Sequence, residues 1–243
     1  RTTVVKPASY QRQVFTKEMK YTHTIIGPQL SPMHFVLLQK AFQYSGYNLI
    51  VLDSIDPKAV DTGLKYVNND ACYPSILVAG QMIAALESGK YDINHTSLII
   101  SQTGGGCRAT NYIGFIRRAL NDAGWSKVPV ISLSAQAFES NPGFKITLPL
   151  LHRLIMSIII GDLLMRLLYR TRPYESVPGS ANAMYEKWSG RAEKQLKSLS
   201  FIGYHRLLKN IIKDFDNLPL LPIKKPRVGV VGEILVKFHP TAN

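Results

Sequence analysis

The stretch TSLIISQTGGGCR, residues 96–108, combines an apolar strand, a glycine loop and the start of a helix. Its apolar part, residues 96–100, is typical of a strand buried on both faces of a parallel sheet. Gly104, Gly105 and Gly106 let the backbone approach a bulky group. Cys107 and Arg108 then open a helix, where the helix dipole and the arginine favour a thiolate. Because functional loops lie at the carboxyl ends of parallel strands, this loop is a candidate binding site.

Elements of the same kind flank this stretch on both sides. Further strands are predicted at 23–28, 48–52 and 128–133, and helices at 31–45, 57–66, 74–86 and from about 108 to 122–124. Ser31 and Pro32 are the expected N-cap and first position of the first helix, and Gly46 closes it. This alternation predicts an α/β domain over 23–145, with a Rossmann-like, mostly parallel sheet and helices on both faces. Residues 1–22 form a lead-in segment.

The second half of the chain is predicted to be helical. Helices at roughly 146–170 and 180–215 make a helical extension over 146–218. Residues 219–243 read as a basic, proline-marked linker followed at 227–232 by the first strand of a second α/β unit, truncated at Asn243. We therefore expect the chain to be a piece of a longer polypeptide.

The most apolar run, Leu148 to Leu168, is long enough to span a bilayer. It carries His152, Arg153, Asp162 and Arg166, each costly in hydrocarbon, so we predict a buried helix and no membrane. The charged segment from residue 161 to 175 could support a cofactor or a core ion-pair network, but a structural role is favoured.

The net charge of +13 comes from 29 Lys and Arg residues against 16 Asp and Glu residues. Much of the excess lies in the second half, on predicted exposed helix faces and a loop. This distribution favours a solvated or protein-docking surface over nucleic acid binding. No signal peptide pattern is present, which predicts a cytoplasmic protein. In a reducing compartment the two cysteines are expected to be packing thiols, reactive thiols or metal ligands rather than a disulfide.

Cys72 has a local context similar to that of Cys107. Asn69 and Asp70 can cap a helix that begins close to Pro74, so Cys72 also lies near a predicted helix start. If both helices begin at the same edge of the sheet, the two sulfurs converge. Core packing is the alternative for each thiol. A zinc site is disfavoured, because there is no CxxC pair and the six histidines show no ligand spacing.

The strand ends carry two further patterns that bear on chemistry. Gly104, Gly106 and Ala109 match a GxGxxA pattern that admits a phosphate to a helix N-terminus, although the next strand ends without an acidic residue for a ribose. No P-loop pattern occurs. Ser101 and Ser134 lie at strand ends, but neither has a nucleophile elbow or a paired histidine and aspartate in the sequence, so serine catalysis is not expected.

Four separated motifs carry a family resemblance. They are GPQ with SPMHF at residues 27–35, YVNNDACYP at 66–74, the run 101–112, and YRTRPYE at 169–175. Together they resemble the C-terminal region of acyl-CoA dehydratase activase-related proteins, the CoA-substrate-specific enzyme activases. In that family, ATPase modules are joined to a region similar to 2-hydroxyglutaryl-CoA dehydratase subunits, which hold [4Fe-4S] clusters through cysteines.

The resemblance implies that Cys72 and Cys107 are ligands of an iron-sulfur cluster in an electron-transfer module. The implied partners are other domains of the parent polypeptide, including an ATPase module, and an acyl-CoA substrate. The chain departs from the family in lacking an ATPase motif and a recognisable CoA site. Two cysteines are too few for a cubane, so the remaining ligands would come from other segments, and the fragment alone is expected to carry no cluster. The alternatives are a nucleotide- or CoA-phosphate-binding domain that uses Gly104 to Ala109, and a non-catalytic docking module.

Overall fold

Short parallel strands form one sheet in the described parts of the chain. The computed structural model describes residues 12–53, 58–102, 111–134, 139–232 and 234–239. The strands are β1 (Thr24–Gly27), β2 (Leu49–Val51), β3 (Thr96–Ser101) and β4 (Val130–Leu133), in the order β2-β1-β3-β4. All three pairings are parallel, with Ile25 opposite Leu49, Ile26 opposite Leu98, and Ile99 opposite Ile131. The predicted α/β fold with a parallel sheet is confirmed.

Helices connect these strands and continue beyond them. They are α1 (Met19–Thr22), α2 (Pro32–Gln43), α3 (Lys58–Tyr66), α4 (Tyr73–Glu87), α5 (Tyr112–Asp122), α6 (Leu148–Thr171), α7 (Ser180–Gln195), α8 (Phe201–Asp216) and α9 (Ile234–Phe238). Single 3-10 turns lie at Ile93–His95 and Arg172–Tyr174. The predicted start of α5 near residue 108 lies outside the described residues.

The sheet is covered on both faces, as the alternation of its side chains requires. Ile26, Leu98 and Ile100 face a core that also contains side chains of α4 and α5. Ile25 and Ile99 point the other way, into a core that contains Phe42 of α2 and Leu150 of α6. Helices therefore pack on both faces of the sheet.

The helical extension packs against the sheet domain through α2. A third core joins α6, α7 and α8 to Leu37 of α2. Arg153 of α6 is buried and donates from Nε to the Leu196 carbonyl oxygen over 2.9 Å and from Nη1 to the Ser45 hydroxyl over 3.2 Å. These bonds tie α6 to the end of α7 and to the residues that follow α2, so the extension is packed beside the sheet as predicted.

The helical stretch predicted over 180–215 consists of two helices, α7 and α8. Ser198 accepts a hydrogen bond from the Ser200 backbone N–H, and Ser200 accepts one from the Gly203 N–H over 3.1 Å. Serine side chains that bond nearby backbone groups in this way compete with helix continuation. Ser200 thereby becomes the N-cap of α8, which turns back onto α7.

Helix α6 is only half buried, which corrects the prediction of a buried helix. Leu150, Ile160 and Leu164 are buried in the cores, but Leu148, Leu151, Ile155 and Ile158 are between 43% and 82% exposed. Their spacing of three and four positions places them along one stripe of the helix. Among the described residues, the helix from Leu148 to Tyr174 is long and apolar enough to cross a membrane by length and composition alone, a test that core helices of soluble proteins also pass.

The C-terminal part lies mostly in extended, exposed backbone. Leu220 pairs with Glu175 in a single antiparallel bridge, after which residues 222–231 form no regular element. The strand predicted at 227–232 is not formed, and Val228, Val230 and Val231 are all more than 60% exposed. In the described chain this segment has no neighbouring strand, and a lone strand leaves its backbone groups without a ladder. The short helix α9 follows, with Leu235 buried against the sheet core.

Candidate functional site

Cys72 lies at the start of α4, as its sequence context predicted, but it occupies the N-cap position itself instead of the predicted caps Asn69 and Asp70. Its backbone is extended, and Pro74 in the first turn fixes the entry into the helix. The sulfur is a free thiol, half-buried, and lies 2.9 Å from the Ser75 hydroxyl. The side chain also packs against the edge of the core that contains Ile76. Cys72 thus combines partial packing with a sulfur close to the positive end of a helix dipole.

The second predicted ligand, Cys107, lies outside the described residues, as do Gly104, Gly105, Gly106 and Arg108. The structure describes the residues that precede this loop, up to Gln102. Strand β3 ends at Ser101, which is exposed, and the side-chain oxygen of Gln102 accepts a hydrogen bond of 2.6 Å from the Ser132 hydroxyl of β4. The predicted convergence of the two sulfurs therefore stays a prediction.

No group of three or more His, Cys, Asp or Glu side chains with metal-binding geometry occurs among the described residues. Cys72 has Ser75 as its polar neighbour, and no second thiol approaches it within the described ranges. Any metal held by Cys72 would need further ligands from residues 103–110, from another polypeptide, or from a small thiol.

A buried polar network lies beside the loop that follows β1. The Gln81 side-chain oxygen on α4 accepts a hydrogen bond of 3.0 Å from the Gln29 backbone N–H, and Gln81 Nε2 lies 2.8 Å from Nε2 of His239. Burial lowers the pKa of His239 and favours the neutral ring, whose Nε2 accepts a hydrogen bond from the Gln81 amide N–H. This network joins the β1 loop and α4 to the segment after α9.

A second polar series begins two residues further along the same loop. The Ser31 hydroxyl lies 2.9 Å from Nδ1 of His34, and Nε2 of His34 lies 2.9 Å from a carboxylate oxygen of Asp162 on α6. Ser31 is buried, the His34 side chain is 14% exposed and that of Asp162 is 65% exposed. Gly161 allows this approach, because a β-carbon there would lie 2.5 Å from Cδ2 of His34.

An apolar cavity of about 240 Å³ lies between the sheet and the helices α2 and α6, and it is lined by residues close in the chain to this series rather than by the three polar side chains themselves. Its lining includes Leu30, next to Ser31, and Phe35, next to His34. Ile158, which lies one helical turn before Asp162, lines it from α6. The strand ends of β1, β2, β3 and β4 close the remaining sides through Gly27, Val51, Ser101 and Leu133.

The predicted basic surface is exposed. Arg153 is buried, but thirteen of the cations that give the second half its charge are exposed, namely Arg166, Arg170, Arg172, Lys187, Arg191, Lys194, Lys197, Arg206, Lys209, Lys213, Lys224, Lys225 and Arg227. Near them, Glu175 accepts backbone hydrogen bonds from Gly179 and Ala181, of 2.7 and 2.8 Å, and these bonds lower its pKa. Glu175 therefore caps the start of α7, whereas Asp162, Arg166, Arg170 and Arg172 are exposed rather than joined in the core ion-pair network that was the structural role favoured for this segment.

The Ser31, His34 and Asp162 series was not recognised in the sequence. The sequence predicts Ser31 only as a helix N-cap, yet its hydroxyl makes no capping bond in the structure. His34 and Asp162 are 128 positions apart, so no local spacing relates them. The sequence does mark each residue separately: His34 lies in the motif SPMHF, and Asp162 is a charged residue within an apolar helical run.

Fold and site together define an α/β protein whose described strands form an all-parallel sheet covered by helices on both faces. No family model, curated protein or solved structure matches the chain.

Proposed function

We propose that this chain is an iron-sulfur-binding, electron-handling module, built on a Rossmann-like fold, of a protein related to 2-hydroxyacyl-CoA dehydratases and their ATP-dependent activators. The observation that carries the proposal is the position of Cys72. A free, half-buried thiol at the N-cap of a fifteen-residue helix has the partial exposure and the favourable dipole that thiolate ligands require. The nearby Ser75 hydroxyl can donate to the sulfur, as outer hydrogen bonds do in cluster sites.

Cys107 is the second proposed ligand, with Gly104, Gly105, Gly106 and Arg108 shaping its loop. The strand order β2-β1-β3-β4 supports this proposal. From β1 the chain continues to β2 on one side, and from β3 it continues to β4 on the other side, so the direction of winding reverses between β1 and β3. Ligands of open α/β sheets bind where the winding reverses in this way. The residues after Ser101 begin at this position.

The proposed cofactor is a [4Fe-4S] cluster whose remaining ligands are supplied from outside this chain. The proposed partners are further domains of the parent polypeptide, an ATPase module that meets the exposed cations of α7 and α8, and an acyl-CoA substrate. A cytoplasmic location is proposed with the cluster, since a reducing compartment keeps both cysteines as thiols.

Anaerobic reconstitution with ferrous iron, sulfide and glutathione tests this proposal. We expect bound iron and acid-labile sulfide with a thiolate-to-iron charge-transfer band, and a strong loss of both in Cys72→Ser and in Cys107→Ser. Ser75→Ala is the matched control, because it keeps both thiols and removes only a hydrogen bond to sulfur. Iron and sulfide contents in Cys72→Ser equal to those of the wild type would show that Cys72 is not a ligand.

A phosphate-binding role for the Gly104 to Ala109 loop is the second candidate. The same position between β1 and β3 favours it, since phosphate-binding loops of parallel sheets lie at such points. Calorimetric titration with ADP and with CoA tests it. Binding that disappears in Gly106→Val while iron content is unchanged would favour this function over the cluster.

A further inference from the structure

The arrangement of Ser31, His34 and Asp162 matches that of a nucleophile, a base and a positioning group. Asp162 is a carboxylate, so it accepts a hydrogen bond from Nε2–H of His34. A neutral ring protonated at Nε2 has its lone pair on Nδ1, which faces the Ser31 hydroxyl at 2.9 Å. His34 is therefore oriented to take the hydroxyl proton, and Asp162 to stabilise the imidazolium that forms.

The start of α2 supplies an electrostatic environment for this chemistry. Ser31 precedes the twelve residues of α2, and Pro32 at the first position has no N–H. The N–H groups of a first helical turn have no partner within the helix, and the Met33 N–H belongs to that turn. An oxyanion that develops next to Ser31 would meet this donor and the positive end of the helix dipole.

The apolar cavity limits the substrate. It measures about 240 Å³ and is lined almost entirely by apolar side chains, including Leu30, Phe35 and Ile158. That volume is below the usual range for drug-sized ligands, about 300–1,000 Å³, so it suits a small apolar group. An acyl chain held there would lie against Leu30 and Phe35, the chain neighbours of Ser31 and His34.

We propose that Ser31 is an acyl-accepting nucleophile for short-chain apolar thioesters or oxygen esters. Ser31 Oγ attacks the carbonyl carbon as its proton passes to Nδ1 of His34. The bond to the thiol or alcohol then breaks, and the leaving group takes the proton from His34. Water activated by the same ring cleaves the acyl-serine and releases the carboxylic acid. This activity uses no residue of the proposed cluster site.

Labelling of the intact 243-residue chain with a fluorophosphonate tests the nucleophile directly. We expect one covalent adduct, mapped by peptide mass spectrometry to Ser31, and none in Ser31→Ala. Ser200→Ala is the matched control, because Ser200 is also an N-cap serine but bonds the Gly203 N–H rather than a histidine. A folded wild-type chain without an adduct at Ser31 would overturn the proposal.

Hydrolysis of p-nitrophenyl acetate and butyrate, and of the matching acyl thioesters, tests the reaction and separates the two ester classes. We expect the wild type to release p-nitrophenol or thiol, either continuously or as a burst of one equivalent per chain, because both require acylation of the serine. Ser31→Ala should show neither. Asp162→Asn should lower the rate by about 10² to 10⁴-fold and alter the pH profile, because it removes the group that fixes the ring. Equal rates in the wild type and in Ser31→Ala would refute serine acylation.

The volume of the cavity predicts a preference for the length of the substrate's acyl chain. Ile158→Trp adds volume to the cavity wall from a half-exposed position. We expect it to reduce kcat/KM for butyrate several-fold more than for acetate. An unchanged ratio, with Ser31 still labelled, would show that the acyl group lies elsewhere and would overturn the substrate assignment.

Discussion

The crossing of α3 and α4 depends on two glycines, and Gly80→Ala is expected to weaken it strongly. A β-carbon added to Gly80 would overlap the Ala59 carbonyl oxygen and would lie 2.8 Å from the backbone nitrogen of Gly63. Both obstacles are backbone atoms of α3, so no side-chain rotation relieves them. The two helices would have to separate along one side of the sheet core.

The expected loss follows from two opposed contributions. Overpacking typically costs about 1–3 kcal/mol, and a clash between two backbones lies at the upper end or above. Replacing glycine by alanine inside a helix returns about 1 kcal/mol. The net loss is therefore about 2 kcal/mol or more, which for a chain of this size lowers the Tm by roughly 4–8 °C.

Urea denaturation followed by far-UV circular dichroism measures this change. Trp125 packs against the core that contains α4, and Trp188 lies in the core of the helical extension, so their fluorescence reports the two regions separately. Gly190→Ala is the matched control, because nothing lies near its added β-carbon and we expect a gain of about 0.5–1 kcal/mol. A Gly80→Ala chain as stable as Gly190→Ala would refute the close crossing.

Three further predictions concern charge. Hydrogen bonds from Arg117 hold the pKa of Glu139 below its usual value, so the pair's stabilisation is complete above the unfolded pKa and disappears as pH falls through the folded pKa. Glu139→Gln should therefore lower the free energy of unfolding at pH 7, measured with urea, by about 1–2 kcal/mol and reduce its dependence on acidic pH. The control Asp122→Asn removes an exposed ion pair with Arg118 and should change the free energy of unfolding by less than about 0.5 kcal/mol. Because burial lowers the pKa of His239, its neutral form is favoured in the fold, and the hydrogen-exchange protection factors of residues 234–239, which are corrected for the intrinsic pH dependence of exchange, should fall as pH drops below about 6.5 but less so in His239→Gln. Glu175→Gln should reduce amide protection at the start of α7, and unchanged protection would mean that its backbone bonds contribute nothing there.

The sheet was predictable because its strands carry a strong local signal. Continuous apolar runs such as residues 96–100 and 128–133 are bounded by turn residues, and burial on both faces leaves little freedom in their register. The two features predicted less well depend on what lies nearby in space. Residues 227–232 have strand-forming valines but no neighbouring strand among the described residues, and α6 carries apolar side chains such as Leu148, Leu151 and Ile155 that are exposed rather than packed in a core.

The candidate site divides in the same way. Cys72 was placed at a helix start from residues next to it, namely Asn69, Asp70 and Pro74, because helix N-termini are encoded locally. The Ser31, His34 and Asp162 contact depends on how α2 packs against α6 and on the absence of a side chain at Gly161. No periodicity or spacing contains that information, so the contact could be found only in three dimensions.

The proposed cluster site and the proposed acylation site lie on different helices, which pack in different cores, so their chemistries can be tested independently. Cys72 begins α4, which packs on one face of the sheet, whereas Ser31 begins α2, whose side chains enter the cores on the other face and in the helical extension. Cys72→Ser should therefore lose iron while keeping Ser31 labelling, and Ser31→Ala should lose labelling while keeping iron. A single variant that lost both, with an unchanged dichroism spectrum and urea midpoint, would mean that the thiol and the hydroxyl belong to one site at the carboxyl edge.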